Sequence, residues 1–414
     1  MLSCPLVQWP NVLFFCGMHA VAVMGVYLRP VWVVPRSTLV LCFVSWQLAV
    51  FGITIGYHRL YSHRSFTARR PLRLVLALMG CLGFQGSIKW WCARHRLHHR
   101  YTDDPVHDPY CATKGLYYSH MGWIFRKPTY PRMHLIDRSD LDNDPVVRFQ
   151  HKHYIPLTLG LGLILPIIIA ASWGDAFGGF IWGGVVARLL IWHCTFIVNS
   201  FAHWDGLQPY SDEMSARGNL LFAILTGGEG NHNFHHTFPH DYRASPHLID
   251  WDPSKWIIET LYRFTSQITS LRTTSDLDIK QAQQEVSQGQ SIKETATIEN
   301  EVASSFEVWN QAQIEKYVEG GHTGGTPRRV VVINECVVDV TDYIHQHPGG
   351  FIVLRPYLIG EKVGRGVEWK DASWAFGGGM NKHSSIARQR MRDMKIARIS
   401  PEIKNVLKLD DVVD

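Results

Sequence analysis

Apolar and polar positions divide the chain into alternating blocks. Asn11 to about Val34 is nearly all apolar, interrupted by His19 and Arg29, and after Pro35 a second apolar run extends to about Tyr57. Each is long enough to cross a hydrocarbon core of about 30 Å as a helix. A third run covers residues 155–173 and a fourth 177–201, separated by Gly174, Asp175 and Ala176. The pattern therefore predicts two hairpins and four spans, at about 11–34, 38–57, 155–173 and 177–201. Leu72–Ser87 is a weaker apolar stretch broken by Gly80, Gly83 and Gly86, and is expected as an interfacial or buried helix.

Polar sequence completes the division. Residues 1–265 form the expected membrane domain. Residues 266–305, rich in Gln, Glu, Ser, Thr and Lys, read as a polar linker. A compact domain is expected over 306–400, with strand patterns at Arg329–Asn334 and Cys336–Val340, followed by a tail over 401–414. The net charge of +5 is modest for 414 residues and does not argue for nucleic acid. Sixteen Lys and Arg residues lie between His58 and Lys152, against two in the first hairpin loop and none in the second. The positive-inside rule then puts that segment, both termini and the C-terminal half in the cytosol. Eight scattered cysteines without a CxxC pair give no disulfide framework or zinc ribbon.

Histidines carry the chemistry. His95-Arg96-Leu97-His98-His99 and His232-Asn233-Phe234-His235-His236 share the spacing HxxHH, which on a helix places three imidazoles on one face. His58-Arg59-Leu60-Tyr61-Ser62-His63 adds a third box where the second span ends. Residues five apart do not share an α-helical face, so these two are expected at a helix end, serving different metals. Imidazole suits several transition metals. A catalytic zinc needs about three protein ligands, whereas eight histidines fit two metals with positions left open for oxygen. His107, His120, His134, His151, His153, His240 and His247 are expected as surface or hydrogen-bonding residues.

These boxes and their flanks, GITIGYHRLYSHRSF, GSIKWWCARHRLHHRYTDD, GLYYSHMGW, DPVVRFQH, VNSFAHWDG and GEGNHNFHH, resemble the membrane fatty-acyl desaturases. The resemblance is strongest to fungal-type acyl-CoA Δ9-desaturases with a fused cytochrome b5 domain. It implies an all-α integral membrane protein with four transmembrane helices and a cytosolic helical di-iron cap, plus a small α+β haem domain. It adds His203 as a ninth ligand and Asn199 as a contact to iron through water. Gln85 and Trp91 match positions near the acyl chain. Departures fall at Ala93-Arg94, where animal members have Arg-Asp, and at Phe196, where a tryptophan is expected.

Downstream, Asp339-Val340-Thr341-Asp342-Tyr343 followed by His347-Pro348-Gly349-Gly350 resembles the first haem loop of cytochrome b5. His383 in His383-Ser384-Ser385-Ile386-Ala387-Arg388 fits the second axial ligand of haem b. The segment from Pro356 to Trp369 looks longer than a minimal cytochrome b5 needs. The resemblance further implies two irons, fatty acyl-CoA and O2 as substrates, cytochrome b5 reductase as electron source, and an endoplasmic reticulum membrane. Basic side chains Arg59, Arg64, Arg69, Arg70 and Lys89 are candidates to meet the CoA phosphates, and Trp46 to stop the acyl tail. Two alternatives stand beside this: a fatty-acid or sterol hydroxylase of the same histidine-box class, marked by a hydroxylated product, and, from another class, a non-catalytic haem-binding membrane scaffold, marked by function without metal.

Overall fold

The computed structural model describes residues 7–127, 129–247, 249–287, 306–321, 327–347, 350–360, 369–377, 383, 385–404 and 407. Contacts divide the chain into two units, Met1–His134 with Arg138–Ile279 and Leu135–Asp137 with Lys280–Asp414.

In the first unit four helices are long and apolar enough to cross a membrane: Trp9–Leu28, Arg36–Ser62, Tyr154–Ala171 and Ala176–His203. The first ends six residues earlier than expected, because Pro30 cannot continue a helix and turns Arg29 out of helical geometry. The turn residues then pair across the hairpins. Arg29 donates to Asp175 at 2.6 Å, and Thr38 donates to the second oxygen of the same buried carboxylate at 2.7 Å. The second and fourth spans are about half buried, 50% and 56%, against 17% and 22% for the first and third. The inner pair therefore carries the polar chemistry, and the outer pair turns most of its surface outward.

The second span runs past the expected Tyr57 to Ser62, and its last eleven residues, Gly52–Ser62, are π-helical. Ser62 donates its hydroxyl to the Tyr57 carbonyl and the His63 amide reaches the His58 carbonyl. The weaker apolar stretch forms the helix Arg70–Cys81, which buries Leu76, Ala77, Gly80 and Cys81. It comes so close to the second span that a Cβ on Gly52 would sit 2.4 Å from the Gly80 nitrogen. No larger residue fits that crossing without moving backbone.

Residues expected to start the linker belong instead to this unit. Strand β2 (Ile268–Leu271) pairs antiparallel with β1 (Phe66–Ala68), and the Thr274 amide donates to Asp241. The boundary therefore lies at Ile279 and not at 265, because this polar stretch hides a strand whose only fully buried residue is Ile268.

In the second unit β3 (Val308–Trp309), β4 (Val330–Ile333), β5 (Cys336–Asp339) and β6 (Lys395–Ile399) form a sheet of order β3-β6-β5-β4, parallel only between β3 and β6. Alternation along β4 and β5 fills both faces. Val331, Ile333, Cys336 and Val338 join Ile344 and Tyr357 on one side. Val330, Val332 and Val337 join Ile314, Ala397 and Ile399 on the other. Ile403 is buried in the latter cluster, so the expected tail begins as part of this core. Pro348, Gly349 and residues 361–368, on which the HPGG turn and most of the long loop fall, lie outside the described residues.

Candidate metal centre

Three helix ends and one short helix bring the boxes together. The π-helical turn delivers His58 and His63. The helix Ile88–Arg100, capped by the Ser87 hydroxyl, delivers His95, His98 and His99. The helix His232–Thr237 delivers the last box, and a 3-10 turn, Phe201–His203, delivers His203. The ring nitrogens fall into two groups, each within 4.8 Å: His58, His63, His95, His99 and His235, and His98, His203, His232 and His236. His58 and His63 thus share one group, contrary to the expectation that they serve different metals. The wider hydrogen-bond ring of the π-turn, i to i+5, brings together two positions that an α-helix would splay. Each HxxHH box feeds both groups: His95 and His99 to one and His98 to the other, then His235 to one and His232 and His236 to the other.

The nitrogens converge pairwise. Nε2 atoms stand 2.8 Å apart between His63 and His95, 3.0 Å between His58 and His235, and 3.0 Å between His235 and His99. In the second group the spacings are 3.3 Å for His98–His236, 3.0 Å for His236–His232 and 3.1 Å for His232–His203. Protons on the outer nitrogens are held away from this centre. His98 Nδ1 donates to Asp108 at 2.8 Å, and His58 Nδ1 lies 3.2 Å from Glu229. His203 Nδ1 donates to Ser215 Oγ, which donates in turn to Asp103. With Nδ1 protonated, each Nε2 is a lone pair pointing inward. Lone pairs facing one another at about 3 Å need a cation between them, and an all-imidazole set fits two transition metals. Burial and the neighbouring rings lower the pKa of His95, His99, His232, His235 and His236 well below the ordinary value, so these rings are neutral and able to ligate.

Arg59 is no surface cation. Its guanidinium is buried and donates to Glu229, Asp252 and the Tyr242 carbonyl, bracing the carboxylate behind His58. Arg64 is likewise paired with Asp140, to which Arg96 also donates, and these cations hold that carboxyl well below the usual range. Lys89 is paired too, with Asp142 at 2.5 Å, but it also faces a cavity. With Trp90, Arg94, Tyr130, Arg138 and His151 it lines a space of about 260 Å³, in which Arg94 stacks on Trp90 and its Nη1 finds no partner among the described residues.

A second cavity adjoins the first metal group. It is lined by Ile53, Thr54 and His58 of the second span, by Trp91 and His95, and by Ile191, Thr195 and Asn199 of the fourth. Trp91 stacks on His95 and donates to Gln85, and Gln85 donates to Thr195. Of the two residues matched by resemblance to the acyl chain, Trp91 lines this cavity and Gln85 braces its lining residues Trp91 and Thr195, and Asn199 opens onto it.

A four-span chain whose nine histidines close on two centres now has relatives to stand beside. The fatty acid desaturase family model matches residues 30–248. Acyl-CoA desaturase 1 of Saccharomyces cerevisiae is 38% identical over 403 residues, 96% of this chain and 74% of that protein. The chain belongs to the fatty acid desaturase family. The Delta(9)-fatty-acid desaturase fat-7 of Caenorhabditis elegans is 39% identical, covering 61% of this chain and 76% of that protein. Stearoyl-CoA desaturase 5 of Homo sapiens is 35% identical, covering 61% and 77%.

Two features of this desaturase escaped the sequence pattern. One is the set of groups holding the outer nitrogens, Asp103, Asp108, Ser215 and Glu229. Only Glu229, three residues before His232, lies close enough to a box to draw notice. The other is a file of histidines assembled from separate elements. His19 Nδ1 donates to Phe15 O, His19 Nε2 meets His193 Nε2 at 3.1 Å, and His193 Nδ1 meets His120 Nε2 at 3.1 Å. His120 Nδ1 meets Ser200 Oγ at 2.9 Å, so of the two expected roles, surface or hydrogen-bonding, it takes the second. In the second unit the His347 and His383 rings lie 6.3 Å apart, and His383 Nδ1 donates to the Phe376 carbonyl.

Proposed function

We propose that this desaturase acts on saturated fatty acyl-CoA of sixteen or eighteen carbons, inserting a cis double bond between C9 and C10. The carrying observation is the convergence of nine imidazole nitrogens on two centres beside a cavity lined by the second and fourth spans. Relatives named for Δ9 and stearoyl-CoA desaturation support the same reading. The balance is one O2, two electrons and two protons consumed with two substrate hydrogens, giving the alkene and two waters.

His58, His63, His95, His99 and His235 would hold one iron and His98, His203, His232 and His236 the other, with Asn199 reaching an iron through water. Bound there, the pair supplies the oxygen chemistry that removes hydrogen from C9 and C10. The protein's own contribution is positioning. Asp108, Glu229 and Ser215 fix the tautomer of His98, His58 and His203 and so aim their lone pairs. The hydrogen-bonded Trp91–Gln85–Thr195 wall turns the acyl chain past the centres, and burial of Trp91, His58, His98, His203, Asp108 and Glu229 excludes water. Lys89, Arg94 and Arg138 give the outer cavity a cationic rim, with Trp90 and Tyr130 as stacking faces. That combination suits the adenine and phosphates of CoA.

The second unit is read as a cytochrome b5-type domain. His347 and His383 would ligate haem b. Their 6.3 Å ring separation leaves room for one metal atom with bonds of about 2 Å on each side. Held by two histidines, haem b would supply single-electron transfer there, with a cytochrome b5 reductase as the electron source. Charge asymmetry supports cytosolic termini and active site, and the family supports an endoplasmic reticulum membrane.

The test is expression in cells lacking their own desaturase, with double bonds mapped in total fatty acids by mass spectrometry. New Δ9 monoenes from the intact chain and none from His98→Ala are expected. Hydroxylated fatty acids, or monoenes at another position, would overturn the reading.

A further inference from the structure

Beyond the metals and the wall that turns the acyl chain, the fourth span carries a charge that the reaction does not use. Arg188 has 0% of its surface exposed. Its Nη1 donates to Gly162 O of the third span at 2.9 Å and its Nη2 to Ser45 O of the second at 3.4 Å. Its Nε is buried without a partner, and among the described residues no carboxylate pairs with it. The guanidinium lies over the Phe84 ring, and Phe84 directly precedes Gln85 of the cavity wall. An ionisable side chain at this depth demands a reason.

Its position supplies one. Asn199, Thr195 and Ile191 line the cavity at successive turns of the fourth span, and Arg188 is the next residue on that face. On the second span Ile53 and Thr54 line the same cavity, and Ser45, held by Arg188, lies two turns deeper, directly before Trp46. The cavity's lining ends at Ile191 and Ile53, and the same line continued between these two spans leads to the guanidinium. From Asn199 the helix rises about 12 Å to Ile191 and about 16 Å to Arg188. The nine carbons beyond C9 of an eighteen-carbon chain fill a length of the first kind.

Resting on the Δ9 reading, we propose that Arg188 is a specificity-determining residue that sets the maximum length of the acyl tail. A methyl terminus offers no hydrogen-bond acceptor. Two extra methylenes press the tail about half a helical turn further towards the guanidinium. To seat them the cation would have to part from Gly162 and Ser45 where no water can replace them, and a buried charged donor left unpaired costs more than two extra methylenes gain. The stop is electrostatic as well as steric, because the two carbonyls hold the cation in place and hold Trp46's backbone beside it.

The experiment uses the full-length, metal-loaded chain with a reductase and compares Δ9 product formation from sixteen-, eighteen- and twenty-carbon acyl-CoA. Each ratio is taken within one preparation, so the folded fraction cancels. The intact chain should discriminate sharply against twenty carbons. Arg188→Leu should raise the twenty-to-sixteen ratio of kcat/KM at least about tenfold, the discrimination that a methylene or two commands in an apolar pocket. Arg188→Lys, which keeps a cation there, should raise it far less. An unchanged ratio in Arg188→Leu overturns the proposal. So does an intact chain that takes twenty carbons as readily as eighteen, whether or not any variant folds. Absence of Δ9 product from every length would instead overturn the desaturase reading, and the length limit with it.

Discussion

Two groups of partly or wholly buried histidines occupy the first unit, and they are built oppositely. In the nine-histidine pocket, His98, His58 and His203 turn Nδ1 outward to Asp108, Glu229 and Ser215, and Nε2 inward to a shared centre. In the file His19–His193–His120, the middle ring uses both nitrogens on its neighbours, and the bonds run end to end from Phe15 O to Ser200 Oγ. A centre with converging lone pairs takes a cation. A file consumes its lone pairs internally and takes none. Ring orientation, set by what holds the far nitrogen, separates a metal site from a hydrogen-bonded brace.

That contrast is open to direct attack. The largest effect is expected at the pocket: His236→Ala should abolish Δ9 product and lower bound iron, whereas His193→Gln should keep both irons when metal is counted by mass spectrometry. Next come the groups behind the ligands. Asp108→Asn keeps shape but weakens the hold on the His98 tautomer, and should cost about 10–100-fold in metal affinity or turnover. In the second unit His383→Ala should remove the haem absorbance while the iron content of the first unit is unaltered.

Acid should act on the pocket in a fixed direction. His95, His99, His232, His235 and His236 have folded-state pKa values depressed below the ordinary value. Their stabilising neutral form is present above the unfolded pKa and is lost as pH falls through the folded one. Iron retention should accordingly be flat above about pH 6.5 and decline below it. Titration of bound iron after buffer exchange measures this, and retention that instead falls on the alkaline side would contradict it. The smallest effect belongs to the file: His120→Ala removes bonds to His193 and Ser200 and should cost about 1–3 kcal/mol of stability, read as a lowered Tm with iron still bound.

Much of this was legible before the structure, and for definite reasons. Long apolar runs fix spans to within a few residues, and the histidine boxes are local patterns that survive without knowledge of packing. What was not legible depends on distant partners or on unusual backbone. The five-residue spacing of His58 and His63 reads as divergent on an α-helix, and only the π-helical turn brings them together. His19, His120 and His193 are 174 and 73 residues from their partners, so no spacing announces them. Asp103 and Ser215 are 112 residues apart. Strand β2 was hidden inside polar sequence because two of its four residues face outward and one only partly inward. Basic residues misled as well: Arg59 looks like a surface cation beside a histidine box, yet Glu229 and Asp252 neutralise it in the core.

The most direct test of the central claim is iron counted per chain in the same preparation from which Δ9 product is mapped, for the intact desaturase and for His98→Ala. Two non-haem irons beside the haem iron, with Δ9 monoenes, in the intact chain, and about one non-haem iron and no product in the variant, are the result that two histidine centres predict. Undiminished Δ9 product from a preparation free of iron, or from His98→Ala, would contradict it.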